Sequence, residues 1–178
     1  EMCIRDRFTI VDPVGLGQSL SSFMHLADAD ERLVSSRIWT DQRHIEQALV
    51  DLTDHLENVI QKYLRNDYET IAQYNEAAGE IAEPYRFLVL QDFPTNLSEI
   101  AAKRLASLLT SGPRCGIFTL IHQDHRHALP RGFDEAVLER GTWILEQRGD
   151  HFHPAEPELS EFKVELQDEI SDEQATRV

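Results

Sequence analysis

Four polar residues stand where chemistry could be placed. Asp12 follows the run Phe8-Thr9-Ile10-Val11, the pair Gln91-Asp92 follows Phe87-Leu88-Val89-Leu90, and Gln123 follows Gly116-Ile117-Phe118-Thr119-Leu120-Ile121 and His122. Each run is short, apolar throughout and rich in β-branched or aromatic residues, the pattern of a buried strand. A carboxylate or amide at a strand end can orient water, accept a proton or support a phosphate-bound cation. The plainer readings stand beside these. Asp12 precedes Pro13 and suits a turn. Asp92 could cap or turn the chain ahead of Asn96 or Ser98. Gln123 could be no more than a polar strand end.

Other reactive side chains fall into weaker patterns. His122, His125 and His127 surround Asp124, and His151 with His153 forms a second pair. No Cys accompanies them, and the spacing is not that of a structural zinc module, so a solvated polar loop is expected. Arg114, Arg126 and Arg131 are expected near the rim that carries Gln123, as surface residues. The sharper alternative is an arginine finger acting across a subunit boundary. No serine sits in a nucleophile elbow, so a hydrolase triad has no support. Cys3 and Cys115 make no disulfide framework, and Cys115 reads as a reduced thiol.

The strands are separated by helical patterns. Residues 18–26 suit a short helix, and Leu33-Val34 a weak strand. Residues 40–66 form the clearest element, with Thr40 or Asp41 as cap. Ile45, Leu49, Leu52, Leu56, Val59 and Tyr63 recur at spacings of four and three, an apolar seam on one helix face. That seam could enter a coiled coil, but under four heptads usually means packing on a sheet. Residues 68–78 suggest a second helix ended by Gly79. Residues 98–110 suggest a third, with Ile100, Ala101, Leu105, Leu108 and Leu109 on one face. Strands alternating with helices argue for crossover connections and a mostly parallel α/β sheet. Ligands gather at the carboxyl ends of such strands, so Asp12, Asp92 and Gln123 are expected on one rim. Beyond Pro130, residues 133–140 suggest a short helix. Residues 142–145, 151–152 and 162–166 are possible strands of a mixed or antiparallel extension.

Composition sets outer limits. The chain has 178 residues, 41% hydrophobic and 28% charged, enough apolar material for one domain with a core. Its 32 acids against 17 bases leave a formal charge of −15, which makes it a poor stand-alone binder of nucleic acid or an anionic membrane. No stretch approaches the roughly 20 apolar residues of a membrane span. No membrane contact and a cytoplasmic location are the expectations. The string Glu1-Met2-Cys3-Ile4-Arg5-Asp6-Arg7 resembles a translated sequencing adapter and is expected to be foreign, with native sequence from Phe8. From position 155 to 178 there are eight acids and two bases, an acidic tail in which Ser171-Asp172-Glu173 reads as a helix start. The native chain is expected to extend past both ends.

Taken in order, these features resemble the motor domain of FtsK/SpoIIIE-type DNA translocases, within the HerA-related, RecA-like P-loop ATPases. Phe8-Thr9-Ile10-Val11-Asp12-Pro13 is similar to that family's strand ending in Asp-Pro, and Met24-His25-Leu26 to its Pro-His-Leu segment. Ile71-Ala72-Gln73-Tyr74-Asn75 resembles Leu-Ala-Gly-Tyr-Asn. Phe87-Leu88-Val89-Leu90-Gln91-Asp92-Phe93 resembles the Walker B strand, and residues 116–123 the strand ending in the Thr-Gln sensor. The resemblance implies a RecA-like core over residues 8–130 with a helical insertion at 40–79, then a C-terminal extension with the acidic tail over 131–178. It implies ATP and Mg²⁺ as cofactors, double-stranded DNA as partner, and a homo-oligomer, hexameric in the family. By the same resemblance Asp92 and Gln123 are catalytic, Asp92 meets Mg²⁺ through water, and Asp12 and Gln91 lie at the nucleotide.

Two departures qualify the resemblance. No Gly-x-x-x-x-Gly-Lys-Ser/Thr occurs in the 178 residues, and Gly15-x-Gly17 lacks the lysine. The family's P-loop lies before the Asp-Pro strand, so this chain alone is expected to hold β- and γ-phosphates poorly. Gln91 stands where the family carries the Mg²⁺-associated Asp, and a neutral amide is a poor Mg²⁺ partner. A fragment of an ATP-dependent DNA translocase is the leading expectation. A non-catalytic adaptor or scaffold on a degenerate ATPase fold is the alternative, favoured by Gln91, the negative charge and the long apolar seam.

Overall fold

The computed structural model describes residues 6–165 apart from Ser36 and Asn66. The expected helix start at Ser171-Asp172-Glu173, Leu166 of the last suggested strand, and the first five residues of the adapter-like string lie outside the described residues.

The chain opens with β1 (Arg7–Val11), followed by a 3₁₀ turn (Ser21–His25) and the short α1 (Leu26–Ala29). The long α2 (Gln42–Lys62) and α3 (Ile71–Ala78) lead to β2 (Arg86–Phe93). Then come α4 (Glu99–Ser111), β3 (Ile117–Gln123), α5 (Ala136–Gly141) and a hairpin of β4 (Leu145–Arg148) with β5 (His151–Pro154). The sheet has the order β1-β2-β3 and both pairings are parallel, as the alternation of elements predicts.

Local chemistry sets the helix ends. Asp41 caps α2 by accepting from His44 N. Thr70 and Gln73 form a reciprocal capping box at α3, which begins three residues later than the apolar pattern suggests. Ser98 caps α4 by accepting from Ala101 N at 3.2 Å. The residues expected as one helix at 18–26 divide between the 3₁₀ turn and α1.

One face of the sheet is thickly covered. Val11, Leu88, Leu90 and Ile117 share a single core with Ile45, Leu49, Leu52, Leu56 and Val59 of α2 and Leu105, Leu108 and Leu109 of α4. The α2 seam therefore packs as core, and the helical segment 40–79 supplies part of the layer over the sheet. Ile100, expected on the buried face of α4, is exposed, and Ala102 is buried in its place. Ile100 lies off the stripe formed by Ala101, Ala102, Leu105, Leu108 and Leu109, on the far side of the helix.

The other face is thinly covered. Phe8 stacks on Phe87 with centroids 5.0 Å apart, and Phe87 on Phe118 at 5.6 Å, a ladder across all three strands. Val89 and Leu120 share this face by alternation. The outer edge of β1 is paired by the segment at 33–39: Phe8 N donates to Leu33 O, Ser35 N to Phe8 O, and Trp39 N to Ile10 O. The weak strand suggested at Leu33-Val34 is thus an edge bridge. No helix among the described residues is long and apolar enough to cross a membrane.

Candidate functional site at the carboxyl rim of the sheet

The register brings the expected residues to one rim. Val11 pairs with Leu90 and Leu90 with Ile121, so Asp12, Gln91-Asp92 and His122-Gln123 emerge at the same level. What each residue does there differs.

Asp12 is 1% exposed, and its carboxylate is committed to its own loop. Gly15 N donates to Oδ1 at 2.8 Å and Gly17 N to Oδ2 at 3.0 Å. A Cβ at Gly15 would stand 2.6 Å from Oδ2, so the loop closes only over glycine. This geometry is that of the turn former, and it leaves the carboxylate little capacity for a ligand.

Asp92 is built differently. Pairing between β2 and β3 runs from Leu90 with Ile121 to Phe93 with Gln123, so two residues of β2 stand against one of β3. That is a β-bulge, a device that re-aims side chains and recurs beside active sites. The bulge places Asp92 at φ 52° within the strand, a conformation few non-glycine residues adopt. Strand β2 therefore runs three residues past its apolar stretch, through Gln91 and Asp92 to the fully buried Phe93. The Asp92 side chain is 24% exposed, with Oδ1 3.3 Å from His122 Nδ1. Its carbonyl accepts from Thr95 N at 2.8 Å, closing the turn that carries Pro94.

Strand β3 supplies the remaining members. Gln123 pairs with Phe93 at the last rung, and Asp124 N donates to Phe93 O at 2.8 Å. Asp124, weighed from the sequence only with the histidines around it, holds Arg126 in a fork: Nε donates to Oδ1 at 2.9 Å and Nη2 to Oδ2 at 2.8 Å. Those bonds and the Arg126 backbone N–H keep the Asp124 carboxyl far below the usual carboxylate range. Asp124 in turn raises the Arg126 guanidinium, with a smaller contribution from Asp92. Arg126 thus belongs to the rim. Arg114 does not: it lies in the 3₁₀ turn Pro113–Cys115 that leads into β3, at the opposite end of the strands. Sequence proximity to β3 misplaced it, because seven strand residues separate the two ends.

The histidines do not converge. His127 Nε2 is 3.6 Å from Asp124, while His153 Nδ1 faces Ser160 O at 3.1 Å in the hairpin region. Among the described residues no group of three or more His, Cys, Asp or Glu side chains is arranged to hold a metal ion. With Asp124 bound to Arg126 and Gln91 neutral, Asp92 is the rim carboxylate left for a cation. A single carboxylate suits Mg²⁺ held mainly by waters and substrate phosphates, and does not make a protein-only site.

Sequence reasoning did not find the bulge or the left-handed Asp92. The available signal was Asn96, an αL-tolerant residue after Pro94, at φ 56° and with Nδ2 donating to Thr40 O at 3.1 Å. That bond ties the rim to the start of α2.

No family model matches the chain, and no curated protein matches it. Among solved structures it is similar to EssC (ATPases 2 and 3) from Geobacillus thermodenitrificans, with a TM-score of 0.62 and 14% identity. The match covers 97% of this chain and 36% of that one, so the chain spans about a third of its neighbour. The likeness shows the fold alone: an α/β core with a parallel sheet packed against helices.

Proposed function

We propose that the chain is the hydrolytic half of a nucleotide site in an FtsK/HerA-like ATPase, a fragment of an ATP-dependent DNA translocase. The observation that carries this reading is Asp92, held left-handed by a bulge at the carboxyl rim of an ATPase-like sheet. Strain of this kind persists where surrounding structure imposes it, and it clusters at active sites.

In this reading Asp92 orients and deprotonates the attacking water, and Gln123 meets the γ-phosphate. Gln91 lines the nucleotide without contributing charge, and Asp12 shapes the loop beside it. Mg²⁺, reached from Asp92 through water, would neutralise charge on the phosphates. The phosphate-cradling loop and its lysine come from sequence outside the 178 residues. Double-stranded DNA as cargo and assembly into a ring follow from the family resemblance.

The test uses a reading frame extended upstream of Phe8. The extended protein is expected to bind a fluorescent ATP analogue in a Mg²⁺-dependent way. Asp92→Asn is expected to lower turnover by about 10²–10⁴-fold, the usual contribution of a positioned base, with the far-UV spectrum unchanged. Absence of Mg²⁺-dependent binding, or Asp92→Asn turnover equal to wild type, sinks the ATPase reading. The neutral Gln91 would then favour the adaptor reading.

A further inference from the structure

The loop from β2 to α4 is strained at both ends. Asp92 and Asn96 are left-handed, at φ 52° and 56°, and neither is glycine. Between them Thr95 Oγ1 is buried with no hydrogen-bond partner. Such features persist only where the surroundings impose them. Two anchors lie on the core side: Phe93 is fully buried, and Leu97 packs against the same apolar cluster. The third anchor is polar. Asn96 Nδ2 donates to Thr40 O at 3.1 Å, a contact between residues 56 positions apart. Thr40 sits at the middle of a junction. On one side of it Trp39 N donates to Ile10 O, and Trp39 O accepts from Asp12 N at 3.0 Å. On the other, Asp41 caps α2. Three consecutive residues thus join the end of β1, the Asp92 loop and the first turn of α2.

We propose that Asn96 is the positioning residue of Asp92, and that residues 39–41 couple the Asp92 conformation to the first turn of α2. Asparagine suits the place twice, because it tolerates the left-handed region and carries a donor; glycine would supply only the first. The two left-handed residues are tied by a short turn, in which Thr95 N donates to Asp92 O at 2.8 Å. Release of Asn96 from Thr40 frees that turn to relax, and Asp92 then leaves its left-handed conformation. Coupling of this kind runs both ways, so loosening the α2 cap loosens Asp92. For its effect on turnover the role of Asn96 rests on the ATPase reading; the coupling itself needs no nucleotide.

The first measurement uses the 178-residue chain without nucleotide. Asn96→Gly keeps access to the left-handed region and removes the Nδ2 donor, and Asn96→Asp does the same with a side chain in place. Both are expected to move the φ-sensitive NMR couplings of Asp92 away from left-handed values. Both are also expected to speed amide exchange at His44 and Ile45 by about two- to tenfold, the range that one exposed hydrogen bond supplies. Asp41→Ala, at the α2 cap, is expected to move the same Asp92 couplings. Thr70→Ala removes the cap of α3, outside the junction, and is expected to move neither readout. The second measurement uses the chain extended upstream of Phe8, where Asn96→Gly is expected to lower turnover about 10–100-fold with KM for ATP nearly unchanged. Asp92 couplings that stay left-handed in both Asn96 variants, or that shift equally in Thr70→Ala, overturn the proposal. So does an Asn96→Gly turnover equal to that of the extended wild type. An extended wild type without turnover, beside Asp92 couplings that do respond, sinks the ATPase reading and leaves the coupling standing.

Discussion

Asp12 and Asp92 end neighbouring strands of one sheet, and the chain uses them in opposite ways. Asp12 is buried, its backbone is ordinary, and two glycine N–H groups occupy its carboxylate. Asp92 is partly open, its backbone is left-handed, and its side chain faces an exposed imidazole. The first carboxylate is consumed in building the rim. The second is held ready at the rim, at a cost in backbone energy. Position at a strand end therefore does not distinguish a structural carboxylate from a chemical one. Saturation and strain do.

The largest expected effect comes from Asp12. Asp12→Ala leaves the Gly15 and Gly17 N–H groups without their acceptor in a buried loop, a loss of about 1–3 kcal/mol. Urea unfolding measures it, and Asp12→Asn should recover part of the loss through its remaining carbonyl oxygen. An Asp12→Ala variant as stable as wild type would erase the contrast, since Asp12 would then be as free as Asp92.

A smaller effect isolates the strain at Asp92. Asp92→Gly and Asp92→Ala both remove the carboxylate, but only alanine keeps a Cβ at φ 52°. The glycine variant should be the more stable of the two by about 1 kcal/mol, the ordinary penalty for an L-residue in the left-handed region. Equal stability would mean that the backbone relaxes freely there and that the bulge does not impose the conformation.

Much of the architecture was legible because it rests on apolar period and capping chemistry. The three parallel strands, the α2 seam, a cap at Thr40 or Asp41 and a helix beginning near Ser98 all follow from patterns local in sequence. The end of β2 was not legible. Gln91, Asp92 and Pro94 look like strand breakers, yet Phe93 is drawn into the core against Phe133, with ring centroids 5.4 Å apart, and the strand bulges to reach it. Phe133 itself precedes α5 and does not begin it, because it follows the turn at Pro130–Gly132 and packs inward. The commitment of Asp12 to its loop needed the spatial approach of Gly15. The pattern Asp-Pro-Val-Gly-Leu-Gly allows that approach without requiring it.

The smallest effect concerns the third carboxylate of the rim, Asp124, which lies between the two extremes. It is saturated like Asp12, but its partner is a solvent-facing guanidinium instead of buried backbone. Arg126 holds the Asp124 carboxyl far below its ordinary value. A depressed carboxyl contributes stability that is fully present above its unfolded value, near 3.9, and is lost as pH falls through the folded value. Stability at neutral pH should therefore keep the whole contribution, with erosion only in strong acid. Arg126→Gln should move the Asp124 carboxyl upward, visible by carbon-detected NMR titration, so that the contribution is smaller and its loss, which still begins near the unfolded value, is complete at a higher pH. Because the guanidinium is 86% exposed, the change in melting temperature at pH 7 should be slight and should shrink further with added salt. A large, salt-insensitive loss would place Asp124 with Asp12 as a builder of the rim. An unshifted carboxyl would show that the fork with Arg126 does not persist in solution, and would leave Asp124 as available as Asp92.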